Sequence, residues 1–383
     1  MNIAVVYLAR LAEGLGPLRK FARSYFDYPA GASHRLFVLY KADDWSLLDS
    51  ARRIFGPIPH MELRVPDAIG VDIDAYRWAV RTISNDRVCF FNTFSEIRTN
   101  DWLAKLDDNL TRRVGVVGAT ASYEALPNSL ELVSKVVWLC ANCNIAYDRN
   151  IAHYYEDILS QHAPRWIGRS RFRKALSLLL RPGRASVERK FSDYWQSLTD
   201  RGGALEWYMQ FPSFPNPHIR TNAFMLRRND ARRYLSEPVI KKQNASLFEC
   251  GPRGLTSRVI LDNMHPILVG ADGNGYEPHS WPHTETFRLE TQQNILIGDN
   301  RTEMYDSLSP KNKAVYSWMS WGIYGSARVP DDFGVAFPCT PERLILSSSA
   351  VKHDPPRAQI IHRPAPESAA PAKAAVNHRH ADV

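Results

Sequence analysis

The first 120 residues alternate short apolar runs with amphipathic segments, and no other feature constrains the fold as strongly. Apolar runs that predict strands lie at residues 3–7, 36–40, 62–65, 88–91 and 114–117. Between the first two, Pro17 opens a segment whose apolar residues recur at the spacing of one helix face: Leu18, Phe21, Ala22 and Tyr25. Strands that alternate with helices are joined by right-handed crossovers. The pattern therefore predicts an α/β fold, a mostly parallel sheet with helices on both faces.

The pattern changes further along the chain and divides it into four parts. Residues 1–122 form the first α/β half, and residues 123–213 read as a mostly helical, basic insertion. Strand and helix signals resume in residues 214–346. Residues 347–383 are rich in proline, alanine and charge and poor in aromatics. They are predicted to be a disordered tail, because such a segment cannot bury enough apolar surface to offset its ordering entropy.

Cysteine number and hydropathy indicate the compartment. Five cysteines, an odd number in 383 residues, fit a reducing cytoplasm better than a disulfide framework. No run of eighteen or more residues is apolar throughout, and the N-terminal apolar run reads as a first strand instead of a signal peptide. We therefore expect a cytoplasmic protein.

The formal net charge of +8 points to an anionic partner, and much of the excess lies in residues 165–190. This segment is either a solvated loop and helix face or a peripheral contact with the anionic inner face of a membrane. The second interpretation rests on leucines that adjoin basic residues. No zinc module, helix-turn-helix or RNP-like motif accompanies the charge, so nucleic acid is not expected as a partner.

The loops after the predicted strands are the expected position of a binding site, because ligands of parallel α/β sheets bind beyond the carboxyl ends of the strands. The loop after residues 88–91 is the most unusual of them. It carries Asn92, Ser95 and Glu96 as candidate binding residues. The alternative is an ordinary strand-to-helix turn in which these polar side chains bond the backbone.

Residues 214–222, with the sequence FPNPHIRTN, are the least generic stretch of the chain. Two prolines around an asparagine restrict the backbone to an extended form with few conformers to lose on binding. His218, Arg220, Thr221 and Asn222 follow and lead into an apolar strand at residues 222–226. These side chains either present donors to a sugar or phosphate, or build a structural turn.

The order of these segments resembles that of GT-A glycosyltransferases, in particular bacterial polysaccharide enzymes related to the rhamnan synthesis protein F group. In the first half the resemblance rests on VVYLAR, HRLFVLYKA, GVDIDAYRWAV and RVCFFNTFSEIRTNDWLAKL. In the second half it rests on FPNPHIRTNAFMLRR, FECGPRGLTSRVI and DNRT. It implies a GT-A-like sheet in which residues 1–122 bind a nucleotide sugar. Residues 214–346 would form the acceptor side of the same catalytic domain.

The activity that this resemblance implies is transfer of a hexosyl or deoxyhexosyl group. The donor would be a nucleotide sugar and the acceptor a glycan or a lipid-linked glycan in surface polysaccharide synthesis. GT-A enzymes use an Asp-x-Asp motif for the metal diphosphate, where this chain has Asn92 to Glu96. Mg²⁺ and Mn²⁺ require oxygen ligands, and Glu96 with Asn92 is a poor cage. The sequence therefore predicts no metal site and no certain cofactor. The alternative is a non-catalytic nucleotide- or glycan-binding protein that retains the fold.

Three further residues take roles from the resemblance. Without a metal, Arg10 after the first strand is a candidate, by its loop position, to neutralise the donor diphosphate; the alternative is an ordinary surface charge. Asp72 is assigned to the base or ribose, while Asp74 is expected to cap the next helix. Glu249, ahead of a predicted helix, occupies the place of the general base that an inverting transfer needs. The alternative for Glu249 is a helix N-terminal charge favoured by the dipole.

The basic segment gives a first testable prediction, that the chain binds vesicles containing anionic lipid. Binding should weaken as salt screens the charges. Sedimentation with anionic and with purely zwitterionic vesicles measures it, and a chain lacking residues 165–190 is the control. Equal pelleting of the deleted and full-length chains would contradict the prediction.

Overall fold

The computed structural model describes residues 2–143, 189–193, 195–196 and 205–324. Its central feature is an eight-stranded sheet, accompanied by two pairs of two-residue strands. In chain order the strands are β1 Ile3–Arg10, β2 His34–Lys41, β3 Met61–Arg64, β4 Arg87–Phe91, β5 Glu96–Ile97, β6 Val114–Gly118, β7 Ala121–Ser122, β8 His218–Ile219, β9 Ala223–Arg227, β10 His265–Val269, β11 Gly275–Tyr276 and β12 Ile297–Gly298.

The large sheet has the strand order β11-β10-β6-β9-β4-β1-β2-β3. Strand β1 pairs in parallel with β2 and β4, β2 with β3, and β6 with β10. Strand β9 runs antiparallel between β4 and β6, and β11 is antiparallel at the edge. The predicted mostly parallel sheet is therefore confirmed, and it is consistent with a GT-A-like fold.

Helices cover both faces of this sheet, as the alternating pattern predicts. Their bounds are α1 Leu15–Asp27, α2 Leu48–Phe55, α3 Asp72–Thr82, α4 Trp102–Asn109, α5 Leu126–Cys143, α6 Arg228–Tyr234, α7 Lys242–Cys250, α8 Leu255–Leu261, α9 Asn300–Ser307 and α10 Pro310–Trp321. Strand β1 has apolar side chains on both faces of the sheet, so both faces must be covered by helices. Ala4, Val6 and Leu8 belong to one buried apolar cluster, and the residues between them belong to the other.

The start of helix α3 corrects one expectation. The helix begins at Asp72, two residues before the predicted cap, and its N-cap residue Val71 gives no side-chain hydrogen bond. The Asp74 carboxylate lies in the first turn, where it accepts from the Gly70 amide at 3.3 Å and from Nε of Arg77 at 2.6 Å. The prediction that Asp74 caps the helix is wrong, because Val71 already adopts the extended N-cap conformation and Arg77 holds Asp74 one turn further along.

The two short strand pairs bring distant parts of the chain to the carboxyl ends of the sheet. Strand β12 pairs with β5 just after β4, and β8 pairs with β7 just after β6. The segments that precede β9 and α9 therefore meet the loops after β4 and β6. This topology gathers the loops in which sequence analysis places the candidate residues.

Two predicted features fall outside what the structure describes. Residues 165–188 of the basic segment and the tail at residues 347–383 lie in the undescribed parts of the chain. Within the described ranges, no helix is both long enough and apolar enough to cross a membrane.

Candidate functional site

The candidate site lies at the carboxyl ends of the parallel strands. Because β9 is antiparallel, its first residue pairs with the last residue of β4, Ala223 with Phe91. Its second residue, Phe224, pairs with Gly118 at the end of β6. The loop residues Asn92 and Asn222 are consequently neighbours, although they are far apart in the chain.

Asn92, Ser95 and Asn222 form one hydrogen-bonded group. The Asn222 carbonyl accepts from the Asn92 amide at 3.0 Å, and Ser95 Oγ lies 2.5 Å from the same carbonyl. Asn92 Oδ1 accepts from the Phe94 amide at 2.9 Å. These contacts join the loop after β4 to itself and to the start of β9. The three residues are therefore fixed at the carboxyl ends of the parallel strands.

Thr93, which sequence analysis did not single out, joins this loop to β1. Its hydroxyl donates to the Leu8 carbonyl at 2.8 Å, and its own carbonyl accepts from the Tyr7 hydroxyl at 2.8 Å. The Arg10 amide lies 3.4 Å from the Thr93 hydroxyl. Nothing in the sequence distinguishes Thr93 from its polar neighbours. Its contacts with Tyr7 and Leu8 exist only because β1 pairs with β4.

Arg10 and Asp72 come together at the open side of this edge. The Arg10 guanidinium lies 3.6 Å from the Asp72 carboxylate and 3.2 Å from that of Glu13. The Arg10 and Asp72 side chains are 37% and 36% exposed, so this cation can reach a ligand in solvent. Asp72 is also the first residue of α3, where the positive end of the helix dipole favours a carboxylate.

Arg220 is held in a buried ion pair. Its Nη2 donates to Asp299 Oδ2 at 2.7 Å and its Nη1 to the Thr120 hydroxyl at 3.2 Å, while its guanidinium lies 4.1 Å from the Phe287 ring centre. The other oxygen of Asp299 accepts from two amides at the start of α9 as the N-cap. Arg220 therefore joins the β8–β9 loop to α9.

Glu249 lies in a helix that sequence analysis did not predict. It is the penultimate residue of α7, and the predicted helix that follows it, α8, begins only at Leu255. The dipole explanation for Glu249 is wrong, because a carboxylate in the last turn faces the negative end of the helix. The helix begins at Lys242, which lets Phe248 bury against the sheet while Glu249 stays half-buried. Glu249 Oε2 accepts from the Thr221 hydroxyl at 2.6 Å.

His218 lies near the same carboxylate. Burial lowers the pKa of His218, while the charge of Glu249, a hydrogen bond to the Asn216 carbonyl and the charge of Glu124 raise it. Its Nδ1 lies 2.8 Å from the Asn216 carbonyl. A neutral ring must donate from Nδ1 to that carbonyl, which leaves Nε2 as an acceptor.

Glu124 and Arg288 form a second buried ion pair that sequence analysis missed. Arg288 Nη1 donates to Glu124 Oε2 at 3.1 Å, and the Ser129 hydroxyl donates to Glu124 Oε1 at 3.1 Å. The Arg288 side chain has no exposed surface. The two residues are 164 positions apart, so no local pattern connects them.

The residues after β4 do not fit a divalent metal. The Asn92 side-chain oxygen already accepts from the Phe94 amide, and Glu96 lies 3.7 Å from the Arg98 guanidinium. In the parts of the chain that the structure describes, no three His, Cys, Asp or Glu side chains gather where they could hold a metal ion. A Mg²⁺ or Mn²⁺ site with several oxygen ligands is not built by this loop.

Comparison with known proteins gives weak structural matches. Neither a protein-family model nor a curated protein sequence matches the chain. TarS from S. aureus is 14% identical, with 31% of this chain and 35% of that chain covered and a TM-score of 0.24. The mannosyltransferase PcManGT from Pyrobaculum calidifontis, solved with GDP-Man and Mn²⁺, is 18% identical, with 30% and 34% covered and a TM-score of 0.24.

Mouse xyloside xylosyltransferase 1 matches over more of the chain. It is 9% identical, with 79% of this chain and 99% of that chain covered and a TM-score of 0.36. The matches to TarS and PcManGT span about a third of those chains. Two of these three neighbours are named as glycosyltransferases, and at these identities and scores no activity, donor or acceptor is transferred from them to this chain.

The buried pair between Arg220 and Asp299 gives a stability prediction. Asp299→Ala should destabilise the fold by about 3–5 kcal/mol, because it leaves a buried guanidinium without its partner and removes a helix cap. Glu303→Ala is the matched control. Glu303 lies in α9, the helix that Asp299 caps, and forms an exposed 2.7 Å ion pair with Lys20 of α1. Loss of this pair should cost less than about 1 kcal/mol. Urea unfolding measures both, and equal losses would contradict this assignment of Arg220 to the scaffold.

Proposed function

We propose that this chain is a glycosyltransferase that moves a hexosyl or deoxyhexosyl group from a nucleotide sugar to a glycan or lipid-linked acceptor in surface polysaccharide synthesis. The observation that carries the proposal is the position of Glu249. Its carboxylate is half-buried, oriented by the Thr221 hydroxyl, and located at the carboxyl ends of the strands. Ligands of open α/β sheets bind at this end.

Glu249 and the candidate donor residues belong to one neighbourhood. Burial raises the pKa of Tyr76 well above its usual value, and the negative charges of both Asp72 and Glu249 raise it further. Asp72 in turn lies 3.6 Å from Arg10. A donor diphosphate at Arg10 and an acceptor hydroxyl at Glu249 would therefore both bind near the first two turns of α3.

In the proposed reaction Glu249 is the general base. The acceptor hydroxyl oxygen attacks the anomeric carbon, its proton moves to Glu249, and the bond from that carbon to the diphosphate oxygen breaks. Thr221 engages Oε2, and Oε1 has no hydrogen-bond partner among the described residues. Oε1 is thus the oxygen available to the acceptor. A base on the opposite side from the leaving group gives inversion.

The remaining candidate residues either bind the donor or hold the site in shape. Arg10 balances the charge of the departing diphosphate, and Asp72 accepts from the ribose or base. Asn92, Ser95 and Asn222 fix the floor of the site through hydrogen bonds to one another. Thr221 orients Glu249, His218 lies near the same carboxylate, and Glu96 with Arg98 borders the site on the β5 side. Arg220 supports this group from the buried side.

A non-catalytic nucleotide- or glycan-binding protein is the second candidate. The observation that favours it is the loop after β4, where Asn92 and Ser95 are hydrogen-bonded into the scaffold and no pair of carboxylates faces a diphosphate. Such a protein would bind the donor at Arg10 and Asp72 without turnover. The two candidates differ in what Glu249 does, not in how the donor binds.

Glu249→Gln tests the general base directly. It should lower kcat and kcat/KM together by roughly 10²–10⁴-fold while donor affinity stays near wild type, because the proton is transferred only as the new bond forms. Steady-state assays with radiolabelled nucleotide sugars measure kcat and kcat/KM, and titration calorimetry measures the donor affinity. Glu237→Gln is the matched control, an exposed glutamate 3.7 Å from Arg258. Turnover of Glu249→Gln at the wild-type rate would place the base elsewhere.

Donor binding should not require a divalent metal but should require Arg10. Chelation with EDTA is expected to leave nucleotide-sugar affinity unchanged in titration calorimetry. Arg10→Ala should weaken affinity by roughly 10–100-fold, because a charge-assisted hydrogen bond to phosphate is lost. Complete loss of binding on chelation would contradict the metal-independent site, whatever the effect of Arg10→Ala.

A further inference from the structure

The loop that leads into β9 lies against the C-terminal end of helix α7, where two hydrogen bonds hold it. Asn216 Nδ2 donates to the Cys250 carbonyl at 2.7 Å, and the Thr221 hydroxyl donates to Glu249 Oε2 at 2.6 Å. His218 lies between these attachment points in the chain, with Nδ1 2.8 Å from the Asn216 carbonyl. Burial lowers the pKa of His218, and the charge of Glu249 is the strongest of the effects that oppose this change. The imidazole and the carboxylate are therefore neighbours that the scaffold fixes.

Each of these two side chains keeps one hydrogen-bond acceptor that the scaffold leaves open. Glu249 uses Oε2 for the Thr221 hydroxyl, and His218 uses Nδ1 for the Asn216 carbonyl. Within the described residues, Glu249 Oε1 and His218 Nε2 have no hydrogen-bond partner. Fully enclosed polar atoms without a partner do occur in this part of the chain, such as the Tyr76 hydroxyl, but neither Oε1 nor Nε2 is one of them. Both atoms therefore keep surface that a group of the size of a hydroxyl can contact.

Both open atoms accept hydrogen bonds, and neither donates one. A carboxylate such as Glu249 has only acceptor oxygens. In the neutral ring of His218, Nδ1 carries the proton that faces the Asn216 carbonyl, so Nε2 presents a lone pair. Arg220, a cation that also acts on the pKa of His218, is committed to Asp299 at 2.7 Å. The described surroundings therefore suit a ligand that brings two hydrogen-bond donors and disfavour an anion.

We propose that His218 Nε2 determines acceptor specificity by accepting a hydrogen bond from a second hydroxyl of the acceptor, next to the hydroxyl that Glu249 deprotonates. The inference rests on the proposed function, in which Glu249 is the general base. Two neighbouring acceptor atoms match two neighbouring hydroxyl donors, which is the arrangement of a vicinal diol on a sugar ring. The second hydroxyl keeps its proton throughout, and only the reacting hydroxyl loses one. The acceptor is accordingly a glycan residue with two adjacent free hydroxyls, and the reacting group is not a lipid phosphate or a uronic acid carboxylate.

The two open acceptor atoms select against other substrates in two ways. A deoxy acceptor without the second hydroxyl leaves Nε2 without a partner, and a site that bonds a substrate hydroxyl discriminates against the analogue that lacks it. His218 is 6% exposed, so solvent replaces the missing hydrogen bond poorly. A phosphate or carboxylate in the same place brings no proton donor and is repelled by the charge of Glu249.

Titration of the full-length chain with methyl glycosides, followed by ligand-observed NMR, tests the inference. The probes are methyl glucoside, galactoside and mannoside, together with the monodeoxy form of each at every ring hydroxyl. For a glycoside that binds, removal of the hydroxyl next to the reacting one should weaken wild-type affinity by roughly 3–10-fold, which corresponds to the loss of one hydrogen bond between neutral groups. Replacement of the same hydroxyl by a phosphate should abolish binding.

Two substitutions of His218 separate the roles of its two nitrogens. His218→Asn keeps a donor for the Asn216 carbonyl but removes the distal acceptor. It should weaken binding of the parent glycoside by roughly 3–10-fold and abolish the penalty for the deoxy form. His218→Gln places an amide near the position of Nε2 and should restore part of that penalty. His265→Asn is the matched control, since His265 is 49% exposed at the start of β10, and should leave both affinities unchanged.

Equal wild-type affinity for each parent glycoside and all of its deoxy forms would overturn the inference, and this comparison needs no variant. So would the failure of every glycoside to bind, or a deoxy penalty that persists in His218→Asn. Transfer onto a lipid phosphate that is lost in Glu249→Gln and unchanged in His218→Asn would overturn this inference alone. Hydroxyl-dependent binding through His218 in a chain that transfers no sugar leaves the diol site intact and contradicts the proposed transfer alone.

Discussion

Asn222 joins four segments of the chain, and the geometry of the candidate site depends on it. Its carbonyl receives the loop after β4, its Oδ1 accepts from the Thr120 hydroxyl at 2.6 Å, and its Nδ2 donates to the Ile297 carbonyl at 3.2 Å. The residue is buried, so each of these hydrogen bonds satisfies a group that water does not reach. The β4 loop, the β6 loop, β9 and β12 are thereby fixed relative to one another. Thr221, which precedes Asn222 in the chain, holds the half-buried Glu249, and Thr93 of the β4 loop lies beside the Arg10 amide.

The same network separates scaffold from chemistry among the polar residues. Arg220 and Asp299 are conspicuous in the sequence, yet they are buried at 5% and 3% exposure and neutralise each other. A cation in such a pair cannot turn to a substrate without leaving a buried carboxylate unpaired. Arg10 differs because its ion pairs are open to solvent, where the interaction is weak and the side chain can exchange one anion for another.

Much of the fold follows from the sequence because burial on both faces of a parallel sheet leaves apolar runs that are easily recognised. Residues 88–91 and 114–117 are predicted as strands, and the structure has them as Arg87–Phe91 and Val114–Gly118. The antiparallel direction of β9 is not predicted, because an apolar run of five residues reads the same in either direction. Asp74 is misjudged for a similar reason, since a capping residue and a first-turn residue are both acidic by preference.

The site is less accessible to sequence reasoning, because its contacts join residues from opposite ends of the chain. Sequence analysis found Glu249 and Thr221 as separate candidates, and only the packing of α7 on α3 and β8 places the hydroxyl 2.6 Å from the carboxylate. No local sequence pattern indicates the ion pair between Glu124 and Arg288, which are 164 positions apart.

The loop after β4 links these observations to the chemistry. Asn92 and Ser95 are neutral, so this loop can be closed by hydrogen bonds to Asn222 without any ion to hold it together. Two carboxylates in those positions would repel each other unless a metal lay between them. In the proposed function, a neutral loop would leave the balance of diphosphate charge to a side chain. Arg10 is the side chain proposed for this role, and its contact with Asp72 at the start of α3 would keep it oriented until the diphosphate replaces the carboxylate.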